Sequence, residues 1–124
     1  MKPWLLIIED EAAILAALEH FFVHQGFSVH TASEREEAEG LLAQHAYAAV
    51  IADLRLSGSF NADGLEIVRF LRKRSSGAKV ILLTAYGSPE VEAEAERLGV
   101  DAFLHKPMPL AEIAGRVKSL LNLA

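Results

Sequence analysis

The 124-residue chain predicts an α/β domain, a doubly wound parallel sheet with helices on both faces. Three observations carry this expectation. Short apolar runs alternate with longer segments of helical period, five times over. Most of the runs are continuously hydrophobic, as strands covered on both faces must be. The helical segments begin and end on residues that suit helix termini. Alternation of this kind argues for a parallel sheet between two helical layers, and right-handed crossovers leave few topologies.

"WLLII" (4–8) is the first strand, continuously apolar and expected to be buried on both faces. "EAAILAALEHFFVHQ" places Ile14, Leu18 and Phe21 or Phe22 near helical spacing, and Gly26 suits the C′ position that follows. "FSVHTA" alternates, as a less buried strand would. "SEREEAEGLLAQH" opens with Ser33 and Glu36 in the S-x-x-E form of a capping box, worth about 1 kcal/mol. "YAAVIA" is the third strand and ends at Asp53; "DGLEIVRFLRKRS" is the third helix, with Leu65, Val68 and Leu71 inward and Arg72 outward. "KVILLT" is the fourth strand and ends at Thr84. In "SPEVEAEAERLG", Ser88 is the N-cap, Pro89 is N1 and Gly99 is C′. Val91, Ala95 and Leu98 form the inward face of that fourth helix, and Glu90, Glu92, Glu94 and Glu96 a solvated one. "DAFLH" is a short fifth strand, and "LAEIAGRVKSLLNL" is the closing amphipathic helix.

Bulk properties narrow the function. Apolar residues make up 52% of the chain, enough for a sizeable core in one domain. There is no cysteine, which excludes disulfides and thiolate metal sites and fits a cytoplasmic protein. The net charge of −5 argues against direct nucleic-acid binding through a basic face. The apolar run near the start breaks at Glu9, too soon for a secretory segment, and no stretch reaches membrane-spanning length. His20 and His24 stand four apart on the first helix without an evident third ligand, and read as an exposed pair.

Open sheets of this class bind at the carboxyl ends of their strands. Glu9, Asp10 and Glu11 follow the first strand, Asp53 ends the third, Thr84 ends the fourth and Lys106 follows the fifth. Each has an ordinary explanation alone. Asp tolerates turns, and acids favour helix N-termini. Together they form a carboxylate cluster with one hydroxyl and one ammonium on one edge. Two carboxylates about 4 Å apart repel by ~4 kcal/mol at an effective dielectric of ~20. A hard divalent cation with oxygen ligands relieves this, and Mg2+ does so with few protein ligands.

The residues "IIEDE", Asp53 after "VIA", "DGLEIV", "LLTAYG" and "HKP" resemble the receiver domains of two-component response regulators, of the chemotaxis-type fold. The resemblance covers nearly the whole chain, 1–124, as one receiver domain. It implies a flavodoxin-like (βα)5 sheet of order 2-1-3-4-5. It also implies that Asp53 accepts a phosphoryl group and that Mg2+ is held by Glu9 (through water), Asp10, Asp53 and the backbone oxygen of Arg55. Thr84 and Lys106 would contact the phosphoryl group, Thr84 and Phe103 would act as the switch, and the Lys106–Pro107 bond would be cis. Arg55 and Tyr86 would flank the path of the hydrolytic water.

The implied partners are a histidine kinase or phosphotransfer protein, and a downstream protein or output domain meeting the surface of helix 4, strand 5 and helix 5. A homodimer is also allowed. Such a chain catalyses only its own phosphorylation and dephosphorylation. Ser57 replaces a usual proline, and "LRLSGSFNA" lengthens the loop after Asp53. Two other classes compete: a receiver that only binds, and an aspartyl phosphatase of haloacid dehalogenase type. The latter needs a second Asp where this chain has Arg55.

Overall fold

The computed structural model describes residues 2–56, 63–74, 77–85 and 87–123. Ser57, the rest of the extended loop (57–62) and Tyr86 lie outside the described residues. The elements run β1 (Trp4–Ile8), α1 (Ala12–His24), β2 (Ser28–Ala32), α2 (Arg35–Gln44), β3 (Ala49–Asp53), α3 (Asp63–Lys73), β4 (Lys79–Thr84), α4 (Pro89–Arg97), β5 (Ala102–His105) and α5 (Leu110–Leu120). The five strands form one parallel sheet in the order β2-β1-β3-β4-β5. The expected fold class and order are therefore observed.

The period-2 pleat sorts the apolar side chains into two cores. Leu5, Ile7, Ala49, Ile51, Ile81, Leu83 and Leu104 pack with Leu18 and Phe22 of α1 and Ile113, Ala114 and Val117 of α5. Leu6, Ile8, Val50, Ala52, Val80 and Leu82 pack with α2, with Leu65, Val68 and Leu71 of α3, and with Ala95 of α4. Trp4 departs from the expected double burial. It is 42% exposed, because it starts β1 at the sheet's open end and lies against His30 of the edge strand.

The helix termini follow their chemistry. Gly26 and Gly99 take φ of 97° and 79° just past α1 and α4, where only glycine is unstrained. Ser88 accepts the Val91 amide at 3.2 Å with Pro89 at N1. The capping box of α2 differs from expectation: the N-cap is Glu34, and Glu37 rather than Glu36 reaches back to Ser33 N (2.8 Å) and Oγ (3.3 Å). The helix starts later than Ser33, so the N3 position falls on Glu37. Glu94 is likewise not simply solvated, since it accepts from Arg69 of α3 and from Arg97.

Arg72 fastens the far end of α4. Its guanidinium donates to the carbonyls of Ala78 (3.2 Å), Leu98 (3.3 Å) and Gly99 (2.6 Å) and pairs with Asp101 (3.6 Å). Asp101 in turn accepts the Val80 amide at 2.8 Å.

Candidate functional site

All strands are parallel, so their carboxyl ends share one edge, and loops leaving that edge bring side chains together. Glu9 extends β1 by one ladder bond, its amide donating to Ala32 O at 3.0 Å. Lys106 extends β5 in the same way onto Thr84 O at 2.8 Å. The pleat therefore continues to the edge. Glu9, Asp53 and Lys106 share parity with Leu5, Ile51 and Leu104, on the α1/α5 side. Thr84 and Phe103 share parity with Leu82, on the α4 side.

Lys106 Nζ donates to Glu9 Oε1 at 2.7 Å and to Asp53 Oδ2 at 2.9 Å. Asp53 Oδ1 accepts the Arg55 amide at 3.2 Å, and Glu9 Oε2 accepts the Glu11 amide at 3.2 Å. Both carboxylates are held by one ammonium and one backbone N–H each, which fixes their orientation. Glu9 is 2% exposed and Asp53 8%. Burial pushes the Glu9 carboxyl above its ordinary value, against the hydrogen bonds from Lys106 and the Glu11 amide, while the Asp53 charge adds to the rise. Burial acts downward on Lys106, but its bonds to Glu9 and Asp53 and their charges outweigh it and leave the ammonium above its usual range.

Glu9, Asp10 and Asp53 each present a carboxylate oxygen, all within 4.8 Å of one another. The donors are oxygens only, so the set suits a hard cation such as Mg2+ and not a thiophilic one. Thr84 is fully buried at the end of β4. Phe103 is half-buried against the α4-side core, its ring 5.4 Å from that of His105. The Lys106–Pro107 peptide is cis. The sequence-predicted residues Glu9, Asp10, Asp53, Thr84 and Lys106 thus come from four strand ends to one edge. Arg55 stands two residues after Asp53 and binds its carboxylate through the backbone amide, and Tyr86 falls outside the described residues.

Gly64 went unread from sequence as a site residue. An ideal Cβ there would stand 2.8 Å from Asp53 O and 2.8 Å from Leu54 Cα. Its amide donates to Leu54 O at 2.8 Å. Only a residue without a side chain lets α3 press against the turn that holds Asp53. The Asp-Gly pair opening a helix was the available signal.

The sequence model of the response regulator receiver domain matches residues 5–118. The transcriptional regulatory protein TctD of Salmonella typhimurium is 35% identical over 118 residues, which is 95% of this chain and 51% of TctD. The chain thus spans about half the length of that relative. A CheY-like receiver domain protein from Methanospirillum hungatei superposes with a TM-score of 0.91 at 23% identity, covering 98% of this chain and 95% of that one. The receiver domain of the sensor histidine kinase PA1611 from Pseudomonas aeruginosa, solved with a magnesium ion in its active site cleft, gives a TM-score of 0.84 at 22% identity, over 98% and 99% of the two chains. A match running through the strand ends that carry the acidic edge and its lysine means that the chain belongs to the receiver domains of two-component response regulators.

Proposed function

We propose that Asp53 is the phosphoacceptor, and that the observation carrying this is its double restraint by the Arg55 amide and the Lys106 ammonium beside two further carboxylates. Asp10, Glu9, Asp53 and the Arg55 carbonyl would hold Mg2+, the ion coordinated in the active site cleft of the PA1611 receiver domain. The bound ion supplies positive charge where the carboxylates and an incoming phosphoryl group would otherwise repel. The protein's part is positioning and neutralisation. One Asp53 oxygen forms the new P–O bond as the P–N bond of a phosphohistidine breaks, and the imidazole leaves. Lys106 stays paired with the anionic edge. The Thr84 hydroxyl takes up a phosphoryl oxygen, and Phe103 follows Thr84 because both lie on the α4 side of the pleat. The readout is then the α4–β5–α5 surface, met by a downstream protein, an output domain or a second copy.

In this reading the chain catalyses only its own phosphorylation and dephosphorylation, in the cytoplasm, with a histidine kinase or phosphotransfer protein as donor. No helix among the described residues is long and apolar enough to cross a membrane. The test is incubation with Mg2+ and acetyl phosphate followed by intact mass. One added phosphoryl group in the wild type and none in Asp53→Asn is the expected result. Labelling that persists in Asp53→Asn overturns the assignment, and no labelling of the wild type would leave a module that only binds.

A further inference from the structure

At the opposite end of the strands from the acidic edge lies a second cluster of side chains. Trp4 starts β1, His30 lies in the middle of the edge strand β2, His45 caps the end of α2, and Tyr47 precedes β3. The His30 ring centre is 4.4 Å from that of Trp4 and 5.0 Å from that of His45, the two imidazoles lying at 64°. His30 Nδ1 is 2.8 Å from the Tyr47 hydroxyl. Tyr47 is buried, and burial pushes its phenol up, so the hydroxyl is neutral at physiological pH.

This is how proteins prepare a metal-binding histidine. One ring nitrogen is fixed by a hydrogen-bonding partner, which sets the tautomer and the ring plane and leaves the other nitrogen to the ion. In the tautomer whose Nδ1–H donates to the Tyr47 hydroxyl oxygen, Nε2 of His30 carries the lone pair that an ion needs. His45 is exposed at the C-terminal end of α2. With metal–nitrogen bonds of ~2.1 Å, an imidazole centre stands about 3.2 Å from the ion, and two rings sharing one ion at a near-tetrahedral angle have centres about 5 Å apart. The observed 5.0 Å meets that requirement.

We propose that His30 and His45 form a two-imidazole site for a borderline divalent transition ion of the Zn2+ class, oriented by Tyr47 and completed by water. Imidazole nitrogen suits such ions, while the oxygen-only edge around Asp53 suits Mg2+. The two sites therefore select different metals, and this one does not depend on the role given to Asp53. An ion here would join the edge strand β2 to the end of α2. The other histidine pair competes for the same chemistry from the opposite side of the sheet: His20 and His24 are exposed on α1 with ring centres 4.3 Å apart, and His24 Nδ1 is bonded to the His20 carbonyl at 2.8 Å.

Trp4 is the only tryptophan in the chain and lies against His30, so its fluorescence reports this site and not the α1 pair. The experiment titrates Cu2+ as a quenching probe into the full chain carrying His20→Ala and His24→Ala, with Mg2+ saturating and a non-chelating buffer. Saturable quenching at one equivalent, reversed by excess Zn2+, is expected. His45→Ala should lose the saturable response, and Tyr47→Phe should weaken it about 10-fold. Thermal unfolding shows that each variant is folded, and His45 is exposed enough for its replacement to be tolerated. Quenching unchanged in His45→Ala would place the ion elsewhere and overturns the proposal. Absence of any saturable response in the parent also overturns it.

Discussion

Gly64→Ala should destabilise this domain although it places alanine in a helix. Elsewhere the same change favours folding, because glycine costs roughly 0.5–1 kcal/mol relative to alanine in a helix. At Gly64 the added Cβ meets two backbone atoms at 2.8 Å and Leu82 Cδ2 at 3.1 Å. Carbon contacts settle at ~3.5–4.0 Å, so α3 must withdraw from the β3 end by roughly half an ångström or more. Overpacking of this kind costs about 1–3 kcal/mol, leaving a net loss of about 1–2 kcal/mol. For a domain of this size each kcal/mol moves Tm by roughly 4 °C, so Tm should fall by roughly 4–8 °C. The displaced backbone is that of Asp53, and an error of about 1 Å in a reacting group can cost about 10²-fold. Labelling by acetyl phosphate should therefore slow by about 10-fold. Gly115→Ala in α5 is the control. Its Cβ meets nothing within 4 Å, so it should raise Tm by roughly 2–4 °C and leave labelling unchanged. If Gly64→Ala melts at or above the wild type, as Gly115→Ala should, the contact is not rigid and the reasoning fails.

Lys106→Met removes the ammonium shared by Glu9 and Asp53. Tm at pH 8 should drop, and Mg2+ should restore more of it than it adds to the wild type; equal Mg2+ effects in the two proteins would contradict the shared-charge picture. Asp10→Asn should raise the Mg2+ concentration needed for labelling while leaving labelling attainable, as a metal titration by intact mass would show. Because burial holds the Glu9 carboxyl above its ordinary value, that group takes up a proton earlier than an exposed glutamate as pH falls. Protons and Mg2+ compete for it, so calorimetric Mg2+ affinity should decline between about pH 8 and pH 5; a flat profile would argue against Glu9 as part of the site. Arg55 follows the acceptor, and its guanidinium is suited to pairing with phosphoryl oxygens. Replacing Arg55 and Tyr86 with small polar residues should speed decay of labelled protein after donor removal, and unchanged decay would show that neither shields the bond.

Much of this was legible because the signals were local. A continuous apolar run ending on Asp53 and another ending on Thr84 mark two strand ends directly, and parallel pairing does the rest. Gly26, Ser88, Pro89 and Gly99 each reported a helix terminus through backbone chemistry that needs no tertiary context. The start of α2 was misread because Glu36 and Glu37 are adjacent acids, and only the helix phase decides which faces Ser33. Glu94 looked solvated on a helix of alternating glutamates, since its partner Arg69 is 25 residues away. The Glu9–Lys106 bond spans 97 residues and depends on β1 and β5 ending at the same edge. Nor did periodicity flag His30, His45 and Tyr47, which converge from β2, the end of α2 and the approach to β3.

The Arg72 fastening has a mechanical consequence for α4. Two carbonyl bonds and an ion pair tie the segment from Leu98 to Asp101 to Arg72 of α3, and a third carbonyl bond holds the same guanidinium to Ala78 beside β4, so this end behaves as a fulcrum. The nine residues of α4 make a lever of ~13 Å at 1.5 Å per residue. Tilting it by about 10° moves the end beside Ser88 by ~2 Å and leaves the Gly99 end almost still. Any rearrangement that starts at Thr84 pushes on the long arm, where force has the greatest leverage. The ion pairs of Glu94, partly exposed, sit partway along and resist only weakly, since surface pairs contribute about 0.2–1 kcal/mol. Displacement should thus grade along α4 from Gly99 to Ser88, and a binding partner that reads the helix near Pro89 and Glu90 would sense several times the movement felt by one that reads it near Glu96.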